Sequence, residues 1–248
     1  MKIKLLVTLL LVVAISNAQN IKFGIKGGLN VSTISVSGNK SVDLKTSPAI
    51  GFLIGGVAEF KLNEKISIQP ELLYSTHSGK QSYKDFFLGS IQTYDYTQTV
   101  TLSSISLPVM VKYNFTKNIS IEAGPQIGYL LSARSNFTFV TANATISGNG
   151  DLSNSQTLVF SSQANKSVNL THDYQLTKLS FGLNLGGTYS LDNGLFLQAR
   201  YNLGLTSFSK NANVLSGKDD SGFVPEPRFN GTEMTNSNFQ FTLGYNFN

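Results

Sequence analysis

The last ten residues, Asn238 to Phe247, constrain the chain more than any other stretch. Phe239, Phe241, Leu243, Tyr245 and Phe247 alternate with Gln240, Thr242, Gly244 and Asn246. A strand over these residues is apolar and aromatic on one side, polar or small on the other. A soluble sandwich gains nothing from so aromatic an outer face at the end of its chain. A barrel in a bacterial outer membrane requires it: the closing strand meets lipid outside, polar contents inside and the first strand at its edge. Tyr245 and Phe247 are therefore the residues expected to signal assembly to the barrel-insertion machinery.

The same alternation recurs seven times upstream. The first strand, Ile21 to Val31, sets Phe23, Ile25 and Leu29 against Lys22, Gly24, Lys26, Gly28 and Asn30. Similar splits follow over Ile50 to Phe60, Ile66 to Tyr74, Ile105 to Phe115, Ile119 to Leu131, Leu179 to Tyr189 and Leu195 to Leu203. Short turns (62–65, 116–118, 191–194) alternate with long polar connections (approximately 32–47, 78–101, 134–175 and 207–236). Outer-membrane barrels have this order, with short periplasmic turns and longer extracellular loops, so both termini are expected in the periplasm. The expected fold is all-β: an eight-stranded antiparallel up-and-down transmembrane barrel over residues 19–248. Ten strands would result if Asn136 to Ile146 and Thr157 to Ser162 formed a further membrane hairpin. Thr and Asn at most of their outward positions favour a hairpin standing in water, with Phe137–Val140 and Thr157–Phe160 on either side of the turn-rich Gly148–Asp151.

Export is written at the start of the chain. Lys2 and Lys4 precede the apolar Leu5–Ile15, and Ser16-Asn17-Ala18 is a small-x-small cleavage site, so residues 1–18 read as a signal peptide. The sequence has no cysteine, which excludes a lipid-anchored cysteine, disulfides and thiolate metal sites. No later segment is long and apolar enough for a transmembrane helix. Loss of Lys2 and Lys4 with the leader lowers the formal charge from +5 to +3, and no basic stripe interleaved with aromatics points to nucleic acid.

Five charges, Glu59, Glu71, Lys112, Glu122 and Arg200, fall on the face opposite the aromatics. A lipocalin-like calyx, apolar inside, could not bury so many charges without full pairing. In an eight-stranded barrel the lumen is just wide enough for side chains, so these residues are expected to form a paired internal plug. Phe60, Tyr113, Phe115, Tyr189, Tyr245 and Phe247 fall where an aromatic girdle belongs at the periplasmic ends of strands. Pro70, Pro108 and Pro125 interrupt strands and are expected to sit at bulges.

The segments Phe23–Asn30, Ile68–Tyr74 (Ile-Gln-Pro-Glu-Leu-Leu-Tyr), Leu107–Tyr113 (Leu-Pro-Val-Met-Val-Lys-Tyr) and Ile121–Gly128 resemble the PorT-like outer-membrane β-barrel family of Bacteroidota. The resemblance covers nearly the whole mature chain. It implies a small barrel in the outer membrane and little about activity. The namesake of that family is tied to a secretion system for gliding and virulence factors.

Catalytic chemistry finds little support. The two histidines, His77 and His172, could meet Asp85, Asp95 or Asp173 at the extracellular end, but no nucleophile motif accompanies them. No catalytic residue, metal site or cofactor is expected. The expected partners are outer-membrane lipid, the insertion machinery, and a protein or glycan at the extracellular loops. The function expected is structural or partner-binding, with a small pore or carrier for hydrophilic solutes as the alternative.

Overall fold

The computed structural model describes residues 21–37, 45–88, 91–141, 145–152, 156–162, 166–218 and 233–247. The expected signal segment, residues 1–18, lies outside them. The described residues form twelve strands: β1 (Ile21–Ser37), β2 (Lys45–Lys61), β3 (Ile66–Leu88), β4 (Ile91–Asn114), β5 (Ile119–Thr141), β6 (Thr145–Asp151), β7 (Gln156–Ser162), β8 (Lys166–Leu176), β9 (Leu179–Ser190), β10 (Leu195–Gly204), β11 (Ser209–Lys218) and β12 (Glu233–Phe247). Antiparallel ladders join β1, β2, β3, β4, β5, β9, β10 and β12 in that order, and β12 pairs back onto β1 from Phe23↔Phe247 to Ser37↔Glu233. The wall is thus a closed ring of eight strands, with no free edge.

Outside this ring the side chains are apolar. Phe23, Ile25, Phe52, Ile54, Ile127, Phe181, Leu185, Leu197, Phe241 and Leu243 are all exposed. A continuous apolar belt of this kind is stable only against lipid. At the turn end Tyr113 packs on Phe115 with ring centroids 5.0 Å apart, and Tyr245 on Phe247 at 5.6 Å, forming part of the expected girdle.

The turns are fixed by their own side chains. Asn63 Oδ1 accepts the backbone N–H groups of Lys65 and Ile66, and Thr116 Oγ1 accepts those of Asn118 and Ile119. Gly194 closes the β9–β10 turn at φ 89°, a backbone region that L side chains avoid.

Two expectations are corrected. First, 32–47, 78–101, 134–175 and 207–236 are not simply loops: β1 runs to Ser37, β2 starts at Lys45, β3 reaches Leu88, β4 starts at Ile91, β5 reaches Thr141, β11 spans Ser209–Lys218 and β12 starts at Glu233. A 23-residue strand such as β3, at about 3.4 Å per residue and tilted near 40°, rises roughly 60 Å, more than twice the height of an apolar band of about 25 Å. The segment 134–175 holds two hairpins rather than one. β5 pairs β6 from Arg134↔Asp151 to Val140↔Thr145, and β7 pairs β8 from Gln156↔His172 to Ser162↔Lys166. Gly148–Asp151 lies within β6, not in a turn. Neither hairpin enters the eight-stranded ring, so the ten-stranded wall is not formed.

Second, the register runs unshifted past Pro70, Pro108 and Pro125. Each instead lies in a two-residue gap in the ladder to the preceding strand: 69–70 opposite 58–59, 107–108 opposite 71–72, and 124–125 opposite 109–110. A missing N–H donor interrupts pairing on one side only, and the fixed register on both flanks carries the ladder across the gap. Register shifts occur elsewhere, between Pro48 and Leu53 and between Ser103 and Ser104.

Candidate functional site

The inside of the ring is where this chain concentrates its chemistry. The alternation that sends aromatics to lipid sends Lys26, Glu71, Glu122 and Arg200 inward from β1, β3, β5 and β10. Arg200 grips Glu71 with both Nη atoms at 2.8 Å, and donates to Glu122 Oε1 from Nε at 2.9 Å and Nη2 at 2.7 Å. Lys26 Nζ donates to Glu71 Oε2 and to Gln198 Oε1, both at 2.8 Å. Two cations meet two carboxylates, so the cluster is neutral, and all four side chains have zero solvent exposure. Neutrality and the planar fork of Arg200 make such burial tolerable.

Toward the turn end Lys112 Nζ donates to Glu59 Oε2 at 3.2 Å and to Gln69 Oε1 at 3.1 Å. Gln69 Nε2 donates in turn to Glu71 Oε1 at 2.7 Å, which links the two charge clusters. Phe196, also buried, occupies the space beside Gly244, where any Cβ would collide with its ring.

Away from the turns the cluster gives way to amides. Asn202 Nδ2 donates to Asn184 Oδ1, Asn238 Nδ2 to Asn202 Oδ1, and Gln240 Nε2 to Asn238 Oδ1. Beyond them the interior turns largely apolar: Ile34, Val100, Leu102, Ala133, Phe137, Leu152, Phe208 and Met234 are all buried, together with the polar Gln81, Gln98 and Ser135. Leu152, just after β6, donates its N–H to the Ala133 carbonyl, which places its buried side chain beside the cap. A cavity of about 60 Å³, lined by His77, Gln126, Asn202 and Phe208 among others, lies between the amides and the cap.

β5 contributes to the cap by changing face. Ser103 pairs Ser132 and Ser104 pairs Leu130, so Leu131 is an extra residue in the ladder. Below it the odd positions Ile127, Tyr129 and Leu131 point outward; above it Ala133, Ser135 and Phe137 point inward.

A sequence model of the family described as outer membrane protein beta-barrel domain matches residues 17–210, more than three quarters of the chain. The chain belongs to this family of outer-membrane barrels. No curated protein matches it. The barrel domain is similar to three solved outer-membrane structures. One is Ail, the attachment invasion locus protein of Yersinia pestis, at 10% identity over 91% of this chain and 98% of that one, with a TM-score of 0.39. Another is Neisserial surface protein A, at 13% identity over 91% and 97%, with a TM-score of 0.39. The third is OprG of Pseudomonas aeruginosa, at 14% identity over 91% and 95%, with a TM-score of 0.42.

All five inward charges named from the sequence of this barrel domain are buried, in two groups: Glu59 with Lys112, and Glu71 with Glu122 and Arg200. Lys26 belongs with the second group. Its parity beside Gly24 and Gly28 put it inside, but a lysine near the start of a barrel strand gave no sign that it would reach Glu71. His77 meets no aspartate among the described residues: Nε2 lies 2.9 Å from Ser75 Oγ and Nδ1 3.4 Å from Ser32 Oγ, inside the barrel. The side chains of His172, Asp85 and Asp173 are outside the description. Among the described residues no group of three or more His, Cys, Asp or Glu side chains could hold a metal ion.

Proposed function

We propose that this outer-membrane barrel is a non-conducting, non-catalytic anchor that presents its long strand extensions to a protein or glycan outside the cell. The observation that carries this reading is the neutral, hydrogen-bonded Lys26–Glu71–Arg200–Glu122 cluster lying beneath a largely apolar cap. Solute passage would require separating four buried charges and opening a packed core. Presentation is favoured by the extensions themselves. β6 pairs with β5 alone and β7 stands at the end of the β12–β11–β8–β7 path, so each offers a strand edge without a ladder among the described residues. β7, Gln-Thr-Leu-Val-Phe-Ser-Ser, has none of the prolines or charges that usually block edge pairing. The finer kinship, with PorT-like proteins of Bacteroidota and a place beside a secretion apparatus, rests on the Gln-Pro-Glu-Leu and Leu-Pro-Val-Met-Val-Lys-Tyr blocks.

Purified protein in planar bilayers is expected to add no steady conductance. Ohmic steps whose ion selectivity changes in Arg200→Ala would establish the pore instead. The proposed orientation puts β6 outside the cell and the 62–65 turn in the periplasm. Because the native chain lacks cysteine, Ser147→Cys should react with a membrane-impermeant maleimide on intact cells, and Lys65→Cys only after the outer membrane is breached. The reverse pattern would invert the barrel.

The closing strand carries a further proposed role. Tyr245→Ala with Phe247→Ala should lower the heat-modifiable folded fraction recovered from outer membranes, since both aromatics sit at the end read by the insertion machinery. An unchanged folded fraction would remove that role from these residues.

A further inference from the structure

The ring is not charge-balanced throughout. At the turn end its mouth is a funnel of about 680 Å³ whose charged lining comprises Lys22, Lys61, Lys65, Lys112 and Lys117 against Glu59, Glu64 and Asp192. Lys112 and Glu59 neutralise each other at the floor, leaving four lysines against two acids. None of those four lysines is in an ion pair among the described residues. The charges deeper in the barrel, by contrast, are matched one to one. A net positive charge therefore lines a concave mouth that has the Glu59–Lys112 pair in its wall.

We propose that this funnel is a socket for an acidic polypeptide segment of a periplasmic partner. The spacing of the lysines favours a chain over a compact anion. Lys22 is the second residue of β1, Lys61 ends β2, Lys65 lies on the β2–β3 turn and Lys117 on the β4–β5 turn, so successive carboxylates of one segment can reach what a single phosphate cannot. Lipid headgroups are poorly placed to fill it, because they surround the ring beyond Tyr113 and Tyr189, whereas the socket lies within it. Lys65 and Lys117 stand on turns already fixed by Asn63 and Thr116, Lys22 and Lys61 on paired strands, and the Asn118 amide donates to the Ser190 carbonyl at 2.7 Å across to the end of β9, so little backbone ordering is needed on binding. Only the compartment of the partner rests on the orientation proposed above.

The test is a titration of fluorescein-labelled hexaglutamate against the full chain in phosphatidylcholine nanodiscs, where both ends are accessible, read by anisotropy. Saturable binding at low salt that fades at high salt is expected. Lys22→Gln, Lys61→Gln and Lys117→Gln together should weaken it about tenfold, with heat-modifiable folding retained. Lys80→Gln with Lys84→Gln, at the other end of the barrel, should leave it unchanged. Absence of saturable binding, or equal weakening by the two sets, overturns the socket. Reversed maleimide labelling with hexaglutamate binding intact would move the socket to the cell surface, and the periplasmic partner would then be excluded.

Discussion

Arg200→Ala is expected to destabilise the folded barrel by about 3 to 5 kcal/mol, read as a lower urea midpoint of the heat-modifiable form. The reason is asymmetry. The guanidinium makes four of the cluster's hydrogen bonds. Without it Glu71 keeps Lys26 and Gln69, but Glu122 is left with Thr188 Oγ1 at 3.4 Å as its recorded partner. A carboxylate with no solvent exposure and no cation in direct contact then stays buried. Glu122→Gln added to Arg200→Ala should recover part of the loss by removing that charge. An unchanged midpoint in Arg200→Ala would mean that water enters the lumen freely enough to solvate the carboxylate.

The second large effect is expected at the seam that closes the ring. Gly28 pairs with Thr242 on β12 and with Leu53 on β2. A Cβ at Gly28 would collide with the Phe241 carbonyl oxygen and approach Thr242 Cα to 2.7 Å. Both are backbone atoms of the closing strand, so the obstacle cannot rotate away. Gly28→Val should abolish the folded, heat-modifiable species, since an unclosed barrel leaves two strand edges in lipid. Gly27→Val, one residue earlier, should fold, because a Cβ there meets only the Leu53 carbonyl oxygen at 3.6 Å and the side chain faces lipid. Equal folding of the two variants would contradict the register of the β1–β12 ladder.

The wall was legible in the sequence because lipid and lumen impose opposite demands at every second residue. Ile119, Ile121 and Ile127 against Ser120, Glu122 and Gln126 leave no doubt about the face each occupies. The extensions were not legible for the converse reason. Above the membrane both sides of a strand meet water or a small core, so Gln98, Thr99 and Thr101 carry no contrast, and β3, β4 and β5 read as loops there although their ladders continue. The bulge at Leu131 left no trace of its own in composition. Reading straight through it gave Phe137 the wrong setting, that of a free-standing hairpin rather than of a core. Inward charges could be counted by parity, but their partners could not. Which of Lys26 and Lys112 joins Glu71 depends on the stagger between strands far apart in the chain, and alternation within one strand does not encode it.

The change of face at Leu131 divides β5 between two regimes of sequence drift. Ile119, Ile121, Ile127 and Leu131 lie against a fluid with no shape to match, so exchange among Ile, Leu, Val and Phe there should be nearly free. Ala133 and Phe137, a few residues further along the same strand, fill a closed core, where a larger residue at Ala133 or a smaller one at Phe137 has nowhere to relax. Variants of this protein should thus diverge widely around the belt yet hold steady in the cap, so that a part standing beyond the bilayer is slower to change than the part within it.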